Sequence, residues 1–226
     1  MKNYFITATD TDAGKTHFSR AFIRALVSAE QKVAVYKPIS AGCTWEGGQL
    51  VNEDAQFLLA ESNAQQTLAQ VNPIAFEASI APHIAAQKEN IILSVEDCVI
   101  GYKPIEKTNA DIIVTEGAGG WRLPLGGQQF LSSFAVQTQQ QVILVVNMKL
   151  GCLNHALLTY QAIKADQLSC VGWVANCQQA MPYLVENINE LTELFAMPLL
   201  ATFEENESID SAAKKINLAL LPESSI

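Results

Sequence analysis

The chain has 226 residues, of which 49% are hydrophobic and 16% are charged, and its formal net charge is -9. This length and composition exclude a disordered chain and predict a single domain with one core over residues 1–226. The negative charge argues against binding to nucleic acid or to an anionic membrane surface, because both partners favour a basic face. No apolar run reaches bilayer length and no leader precedes the first predicted strand, so we expect a cytoplasmic protein.

Short β-rich runs alternate with helix-length segments along most of the chain. This alternation predicts an α/β fold with a mostly parallel, twisted sheet and helices on both faces. Apolar periodicity predicts amphipathic helices over residues 18–29 and 184–195. Between residues 42 and 82, Gly-Gly, Asn-Pro and Ala-Pro steps predict loops around one helix at 54–60. The predicted strands cover residues 4–7, 33–36, 111–115, 142–146, 171–175 and a less regular 199–202.

The stretch ATDTDAGKT, residues 8–16, separates the first predicted strand from the first helix. Glycine followed by lysine and threonine at a helix start is typical of a phosphate-binding loop, in which backbone N–H groups, the lysine charge and the threonine hydroxyl hold phosphate and magnesium. Gly14, Lys15 and Thr16 fit those roles, although five residues separate Ala8 from Gly14, whereas the usual motif has four residues between two glycines. An ordinary turn with an exposed lysine is the alternative. The flanking strand and helix favour nucleotide binding of the P-loop NTPase type.

A magnesium-nucleotide site also needs carboxylates, since hard cations prefer oxygen ligands. Glu116 ends the third predicted strand and is followed by the turn Gly117-Ala118-Gly119-Gly120. A Walker-B-like acid lies at this place in related sites. Beside a phosphate loop, metal binding is therefore a better interpretation of Glu116 than a solvent-exposed cap at a turn. Asp54 is a second candidate, for which a helix-capping role is an equal explanation.

Lys37 follows the second predicted strand and precedes Pro38, which restricts it to extended geometry. A lone lysine is usually a solvated surface charge. At the same sheet edge as Lys15, however, it would place two ammonium groups around one cavity, a setting for phosphoryl transfer. No Ser-His-Asp set or activated cysteine is indicated, so the predicted chemistry is positioning and charge stabilisation.

Five segments together resemble the dethiobiotin synthetase family: YFITATDTDAGKT, VYKP, TEGAGG, VILVVNMKLGCLNHALLT and GWVAN. The resemblance runs from Met1 to about Leu200. It implies a homodimeric cyclo-ligase that uses ATP and Mg²⁺ and converts 7,8-diaminopelargonic acid and carbon dioxide to dethiobiotin, ADP and phosphate. One amine would take up carbon dioxide as a carbamate, which would then be phosphorylated to a carbamic-phosphoric anhydride.

The resemblance also implies roles for individual residues. Thr11, Lys15 and Lys37 would be catalytic, and the metal would be held by Thr16, Asp54 and Glu116. Nucleotide contacts are expected at Asp12, Ala13, Gly14, Lys15, Thr16, His17, Asp54, Glu116, Gly117, Ala118, Gly119, Asn176 and Cys177. Substrate contacts are expected at Thr11, Lys37, Ala41 and, from the neighbouring subunit, Gly151, Cys152 and Asn154.

Three positions and one segment depart from the family pattern. Ala8 replaces a glycine, and Ala41 replaces the substrate-binding serine, with a hydroxyl one place earlier at Ser40. Cys177 replaces an acid near the base, and LLATFEE at residues 199–205 replaces the expected wall beside the nucleotide base. These changes leave open a diverged paralogue with an altered substrate or nucleotide preference.

A regulatory ATPase of the ParA and MinD kind is a further alternative on the same architecture. Those proteins use a lysine early in the phosphate loop, and no lysine lies between Ala8 and Gly14. Their membrane-associated forms end in a basic amphipathic helix. Residues 213–220, AKKINLAL, match either such a helix or an ordinary packed final helix.

Overall fold

The computed structural model describes residues 1–222. The strands are β1 (Lys2–Ala8), β2 (Val33–Tyr36), β3 (Ile39–Ala41), β4 (Thr44–Glu46), β5 (Gln49–Val51), β6 (Ile74–Phe76), β7 (Ile112–Glu116), β8 (Pro124–Gly126), β9 (Gln129–Phe130), β10 (Gln141–Asn147), β11 (Cys170–Asn176) and β12 (Leu199–Phe203). The helices are α1 (Lys15–Ser28), α2 (Glu53–Glu61), α3 (Leu68–Val71), α4 (Pro82–Lys88), α5 (Val95–Glu106), α6 (Ser132–Gln137), α7 (Cys152–Ala165), α8 (Leu184–Leu194) and α9 (Ile209–Lys215), and a 3₁₀ turn follows at Leu218–Leu220.

Six strands form the central sheet in the order β12-β11-β10-β1-β7-β2. All five pairings within it are parallel, so the carboxyl ends of all six strands lie at one edge. The predicted strands are confirmed, and most extend one or two residues beyond the predicted bounds. These are near-continuous apolar runs, as expected for strands buried on both faces.

Helices cover both faces of the sheet, as the sequence predicts. On one face, Phe18 of α1, Leu58 of α2 and Ala212 of α9 pack in one cluster against alternate residues of the strands. On the other face, α5, α6 and α7 pack over the strands and α8 joins α7 beside β11. The alternation is clear in β1, where Tyr4 belongs to the first face and Phe5 to the second.

The prediction of loops around one helix between residues 42 and 82 is wrong in part. α2 is confirmed, but this region also contains the β4–β5 hairpin, α3 and β6, and β3 precedes it. Gly47 and Gly48 form the hairpin turn with φ angles of 57° and 83°. These elements have three or four residues each, which is too short for apolar periodicity to reveal them.

The backbone N–H and C=O groups at the outer edge of β2 form hydrogen bonds with the segment 63–72. Asn63 Oδ1 accepts from the Val33 N–H at 2.7 Å, and the side-chain amide of Gln66 both accepts from and donates to the Val35 backbone at 2.8 and 2.9 Å. Lys37, just beyond the strand, donates its N–H to the Val71 carbonyl at 2.8 Å. The chain thus covers an edge that would otherwise expose unpaired backbone groups. We call these contacts the β2 edge brace.

The last helix, α9, is a packed element of the fold. Ala212 and Ile216 are buried in the cluster that contains α1, and Lys215 pairs with Glu204 and Glu207 at 3.1 and 2.9 Å. Ala212 and Ile216 are therefore covered by the protein itself, while Leu220 in the following 3₁₀ turn is 43% exposed. Across residues 1–222, no helix combines the length and apolar character that crossing a bilayer requires.

Gly101 of α5 provides a test of packing against β2. An ideal Cβ at this position would lie 2.5 Å from Tyr36 Oη, which is buried and donates to the Cys98 carbonyl at 2.7 Å. Alanine gains about 1 kcal/mol in helix propensity over glycine, but overpacking a core costs roughly 1–3 kcal/mol. Because Tyr36 is held in place, we expect Gly101→Ala to lower the free energy of unfolding in a denaturant titration. The loss should shrink in a Tyr36→Phe background, and equal losses in both backgrounds would contradict this packing.

Candidate functional site

A cavity of about 710 Å³ opens at the carboxyl edge of the sheet. In a parallel sheet this edge is where loops from neighbouring strands meet, so residues distant in sequence converge there. The predicted site residues among its lining are Thr11, Asp12, Gly14, Lys15, Thr16, His17, Lys37, Ala41, Asp54, Gly117, Ala118 and Gly119. The cavity therefore brings together most of the residues that the sequence indicates.

The loop from β1 to α1 presents backbone donors to this cavity. Gly14 has φ +88°, a left-handed conformation that glycine adopts without strain, and it immediately precedes the first turn of α1. In the described chain, the N–H groups of residues 12–17 donate to no protein acceptor. Unpaired N–H groups at a helix N-terminus, together with the helix dipole, form a binding site for phosphate.

Asn176, at the end of β11, braces this loop from below. Its Nδ2 donates to the Ala13 carbonyl at 2.8 Å, and both residues are buried. An ideal Cβ on Gly14 would lie only 1.9 Å from the same Nδ2. Gly14 is therefore required both for its backbone angle and for the close approach of Asn176.

Lys15 is buried without a carboxylate contact in the described structure. Its Nζ lies 3.5 Å from the Asp10 carbonyl, a long contact. Burial lowers the pKa of Lys15, and the nearby Lys37 charge lowers it further against the opposing effect of Glu116. A bound anion would relieve this desolvated positive charge.

Lys37, Glu116, Asp54 and Thr16 form a charged cluster beside the loop. Lys37 Nζ lies 2.6 Å from Glu116 Oε1 and 3.3 Å from Asp54 Oδ2, while Thr16 Oγ1 donates to Glu116 Oε1 at 3.1 Å. Burial opposes the charge on Lys37, but the two carboxylates outweigh it, so the pKa of Lys37 is raised. Lys37 therefore stays an ammonium group at neutral pH.

Glu116 has the free oxygen that a metal site requires. Its side chain is fully buried, and Oε2 has no hydrogen-bond partner in the described structure. A buried carboxylate oxygen without a partner is costly unless a ligand completes it. Thr16 and Asp54 add a hydroxyl and a half-exposed carboxylate nearby, so the oxygen donors present fit a hydrated Mg²⁺.

Other predicted site residues lie outside the cavity lining. Glu116 lies beneath it, Ala13 is buried, and Asn176 is occupied with the loop. Cys177 is buried in an apolar cluster, and burial raises the pKa of its thiol. Gly151, Cys152 and Asn154 lie at the start of α7, with Gly151 at φ +91° as its N-cap. Their predicted contacts with the substrate remain predictions.

The cavity also contains residues that the sequence did not single out for the site. These residues follow strands or lie in loops near Gly and Pro. Such a position is a weak sequence signal for a site, because many other residues share it. His17, which was predicted, bonds through Nε2 to the Glu207 carbonyl at 2.8 Å and so ties the loop to the turn after β12. The additional lining residues are Ser40, Asn52, Ser79, Ile80, Ala81, Pro82, Leu123 and Gln178.

The departures at positions 8 and 41 have different structural consequences. Ala8 is buried in β1 and is not among the residues with positive φ, so alanine is unstrained there. Ala41 and Ser40 both line the cavity, but the Ser40 hydroxyl donates to Asn72 Oδ1 at 2.7 Å. Ser40 therefore uses its hydrogen within the protein.

The parallel sheet, the phosphate loop and the acid at the end of β7 define a P-loop NTPase. Two solved structures share the fold: the MinC:MinD complex of Aquifex aeolicus, with a TM-score of 0.57, 14% identity and coverage of 97% of this chain and 88% of that chain, and a ParA family ATPase of Chlorobium tepidum, with a TM-score of 0.55, 12% identity and coverage of 94% and 89%. A family model described as an AAA domain matches residues 2–213.

Sequence relatives identify the family within this class. An ATP-dependent dethiobiotin synthetase of Idiomarina loihiensis is 44% identical over 204 residues, which cover 89% of this chain and 92% of the relative. The enzyme of the same name from Cellvibrio japonicus is 43% identical over 222 residues, covering 98% and 97%. The chain belongs to the family of ATP-dependent dethiobiotin synthetases. The predicted resemblance and the predicted ligase class are confirmed.

Gly14→Ala tests the geometry of the phosphate loop. We expect it to weaken MgADP binding at least about tenfold, because alanine strains the left-handed backbone by roughly 1–3 kcal/mol and its Cβ displaces Asn176. Gly48→Ala is the matched control, since Gly48 also has positive φ, at 83°, but a Cβ there meets nothing within 4 Å. The control should lose stability without losing affinity in fluorescent-nucleotide titrations. Equal affinity in Gly14→Ala and the wild type would refute this loop as the phosphate site.

Proposed function

We propose that the chain catalyses the ATP-dependent ring closure of 7,8-diaminopelargonic acid with carbon dioxide, giving dethiobiotin, ADP and phosphate. One amine adds to carbon dioxide and loses a proton to form a carbamate. A carbamate oxygen attacks the γ-phosphorus of ATP, ADP leaves, and a carbamic-phosphoric anhydride forms. The second amine then attacks the carbonyl carbon, and phosphate leaves as the cyclic urea closes.

The convergence of Lys15 and Lys37 on one cavity carries this proposal. Both the carbamate and the transferring phosphoryl group are anionic, and they repel each other on approach. Two ammonium groups beside an anion-binding loop offset that repulsion, and such electrostatic stabilisation can supply much of the catalysis in phosphoryl transfer. Thr11, an exposed residue of the same lining, is proposed to contact the substrate.

Magnesium fits the same proposal. Thr16, Glu116 and Asp54 would hold the hydrated ion, which supplies charge neutralisation at the nucleotide phosphates. Asp12, Gly14 and His17 of the loop, with Gly117, Ala118 and Gly119 after β7, are proposed to surround the phosphates. Ala13, Asn176 and Cys177 lie outside the cavity lining. We propose that they support these phosphate contacts or contact the adenine base.

A second subunit is proposed to bind the carboxylate of the substrate. Gly151, Cys152 and Asn154 do not line the described cavity, while Leu150 beside them is 95% exposed. Gly151 and Asn154 are exposed, which supports the proposal that this helix start acts on the site of a partner subunit in a homodimer, whereas Cys152 is buried beneath them. We propose that residues 1–226 form one nucleotide-binding domain of that dimer.

Phosphate release with and without the diamine tests the reaction. With MgATP and bicarbonate, we expect release to depend on 7,8-diaminopelargonate and dethiobiotin to accumulate in equal amount. A regulatory ATPase would release phosphate without the diamine, and a diverged paralogue would respond to neither the diamine nor bicarbonate. Either result would contradict the proposed function.

Lys37→Ala tests the role of the second lysine. We expect turnover to fall by at least about 10²-fold, because an electrostatic contact to the reacting groups is lost. MgADP affinity should remain nearly unchanged, since the phosphate loop does not include Lys37. Lys32→Ala is the control: Lys32 lies just before β2, and its Nζ donates to the Thr108 carbonyl at 2.9 Å. Equal loss of turnover and nucleotide affinity in Lys37→Ala would mean that Lys37 is wrongly assigned.

A further inference from the structure

We propose that Asn72 and Ser40 are positioning residues that set the place of Lys37 at the reacting groups. This inference rests on the proposed function, because it takes Lys37 to contact the carbamate and the phosphoryl group. Neither residue needs to touch the substrate. They act through the backbone of Lys37.

The contact is a buried amide bridge. Asn72 Nδ2 donates to the Lys37 carbonyl at 2.8 Å, and Ser40 Oγ donates to Asn72 Oδ1 at 2.7 Å. All three residues are buried, with exposed fractions of 4% for Lys37, 2% for Ser40 and 8% for Asn72. Solvent therefore does not replace these bonds easily when one partner is removed.

The surrounding groups fix the orientation of the Asn72 amide. Nδ2 faces two carbonyl oxygens, that of Lys37 and, at 3.4 Å, that of Ile74, and both can only accept. Oδ1 faces the Ser40 hydroxyl, which lies 3.1 Å from Cys43 Sγ as well. A reversed amide would place its NH₂ group near a hydroxyl and its oxygen against two carbonyls. The two carbonyls therefore direct the Asn72 donor at Lys37, and the Ser40 hydroxyl supplies the donor that the buried Oδ1 needs.

The bridge completes the hold on the Lys37 backbone. The Lys37 N–H donates to the Val71 carbonyl at 2.8 Å, so the peptide groups on both sides of its Cα are bonded to residues 71 and 72. Pro38 then restricts the next φ angle. With its backbone fixed, the Lys37 side chain reaches Glu116 at 2.6 Å. If the bond to the Lys37 carbonyl is lost, the backbone of Lys37 can shift, and its ammonium group shifts with it.

The β2 edge brace contains its own control. Gln66 donates to the Val35 carbonyl at 2.9 Å, as Asn72 does to the Lys37 carbonyl, and it also accepts from the Val35 N–H at 2.8 Å, a role that the Val71 carbonyl has at Lys37. Val35 points into the core cluster and away from the cavity lining. Losing Gln66 therefore removes an equivalent support two residues earlier in the chain without releasing the lysine.

The experiment compares Asn72→Ala with Gln66→Ala in the full-length protein. Both should lower the unfolding midpoint, because each loses side-chain bonds to β2 and its continuation. We expect Asn72→Ala alone to lower kcat for diamine-dependent phosphate release by about 10- to 100-fold, since small misplacements of a reacting group cost this much. The Kd for MgADP and the KM for ATP should stay at the wild-type values in both variants.

Ser40→Ala provides a second test if Asn72→Ala fails to fold. It keeps the Asn72 side chain but leaves its buried Oδ1 without a donor, which loosens the side chain, so kcat should fall in the same direction with unchanged MgADP affinity. A kcat equal to that of Gln66→Ala in every folded variant would overturn the positioning role. A wild-type protein without diamine-dependent turnover would instead overturn the proposed function, which separates the two failures.

Discussion

The buried contact between Lys37 and Glu116 is the interaction on which the site depends. The two residues lie at the carboxyl ends of neighbouring parallel strands, β2 and β7, with 2.6 Å between Nζ and Oε1. Either charge alone would be costly to bury, and removing one partner of such a pair destabilises a protein strongly. Parallel pairing places them side by side, so the sheet topology determines the charge distribution of the cavity.

The two lysines of the site are in different electrostatic states. Lys37 has two carboxylate neighbours and a raised pKa, whereas Lys15 has no direct carboxylate contact in residues 1–222 and burial lowers its pKa. Lys15 therefore gains more from an incoming anion than Lys37 does. With the unpaired N–H groups of the phosphate loop, it makes that end of the cavity the stronger attractor for phosphate. This happens in a chain whose net charge is -9, so the attraction is local.

Much of this arrangement could be predicted from sequence because it depends on strand ends. Apolar runs located β1, β2 and β7, and the residues that follow a buried parallel strand must reach the same edge. Lys37 and Glu116 are predicted in this way, and Lys15 is predicted from the Gly-Lys-Thr motif at the start of α1. The hydrogen bond from Asn72 to the Lys37 carbonyl could not be predicted, because it joins residues 35 apart in sequence. The elements between them are a four-residue helix and three-residue strands, which are too short to show apolar periodicity, and a nine-residue helix. Ser79 and Gln178 were missed for the same reason: loop geometry alone brings them to the cavity.

The departures from the family pattern fall around the charged cluster and leave it intact. Ala8 is accommodated within β1, Cys177 is packed in an apolar cluster, and Ala41 lines the cavity. None of them removes an ammonium group or a carboxylate near the phosphate loop. Changes at these places can alter which molecule is held, since hydrogen bonding at the wall determines substrate discrimination. They leave the groups that would stabilise phosphoryl transfer in position, which is why we favour the family reaction over a changed chemistry.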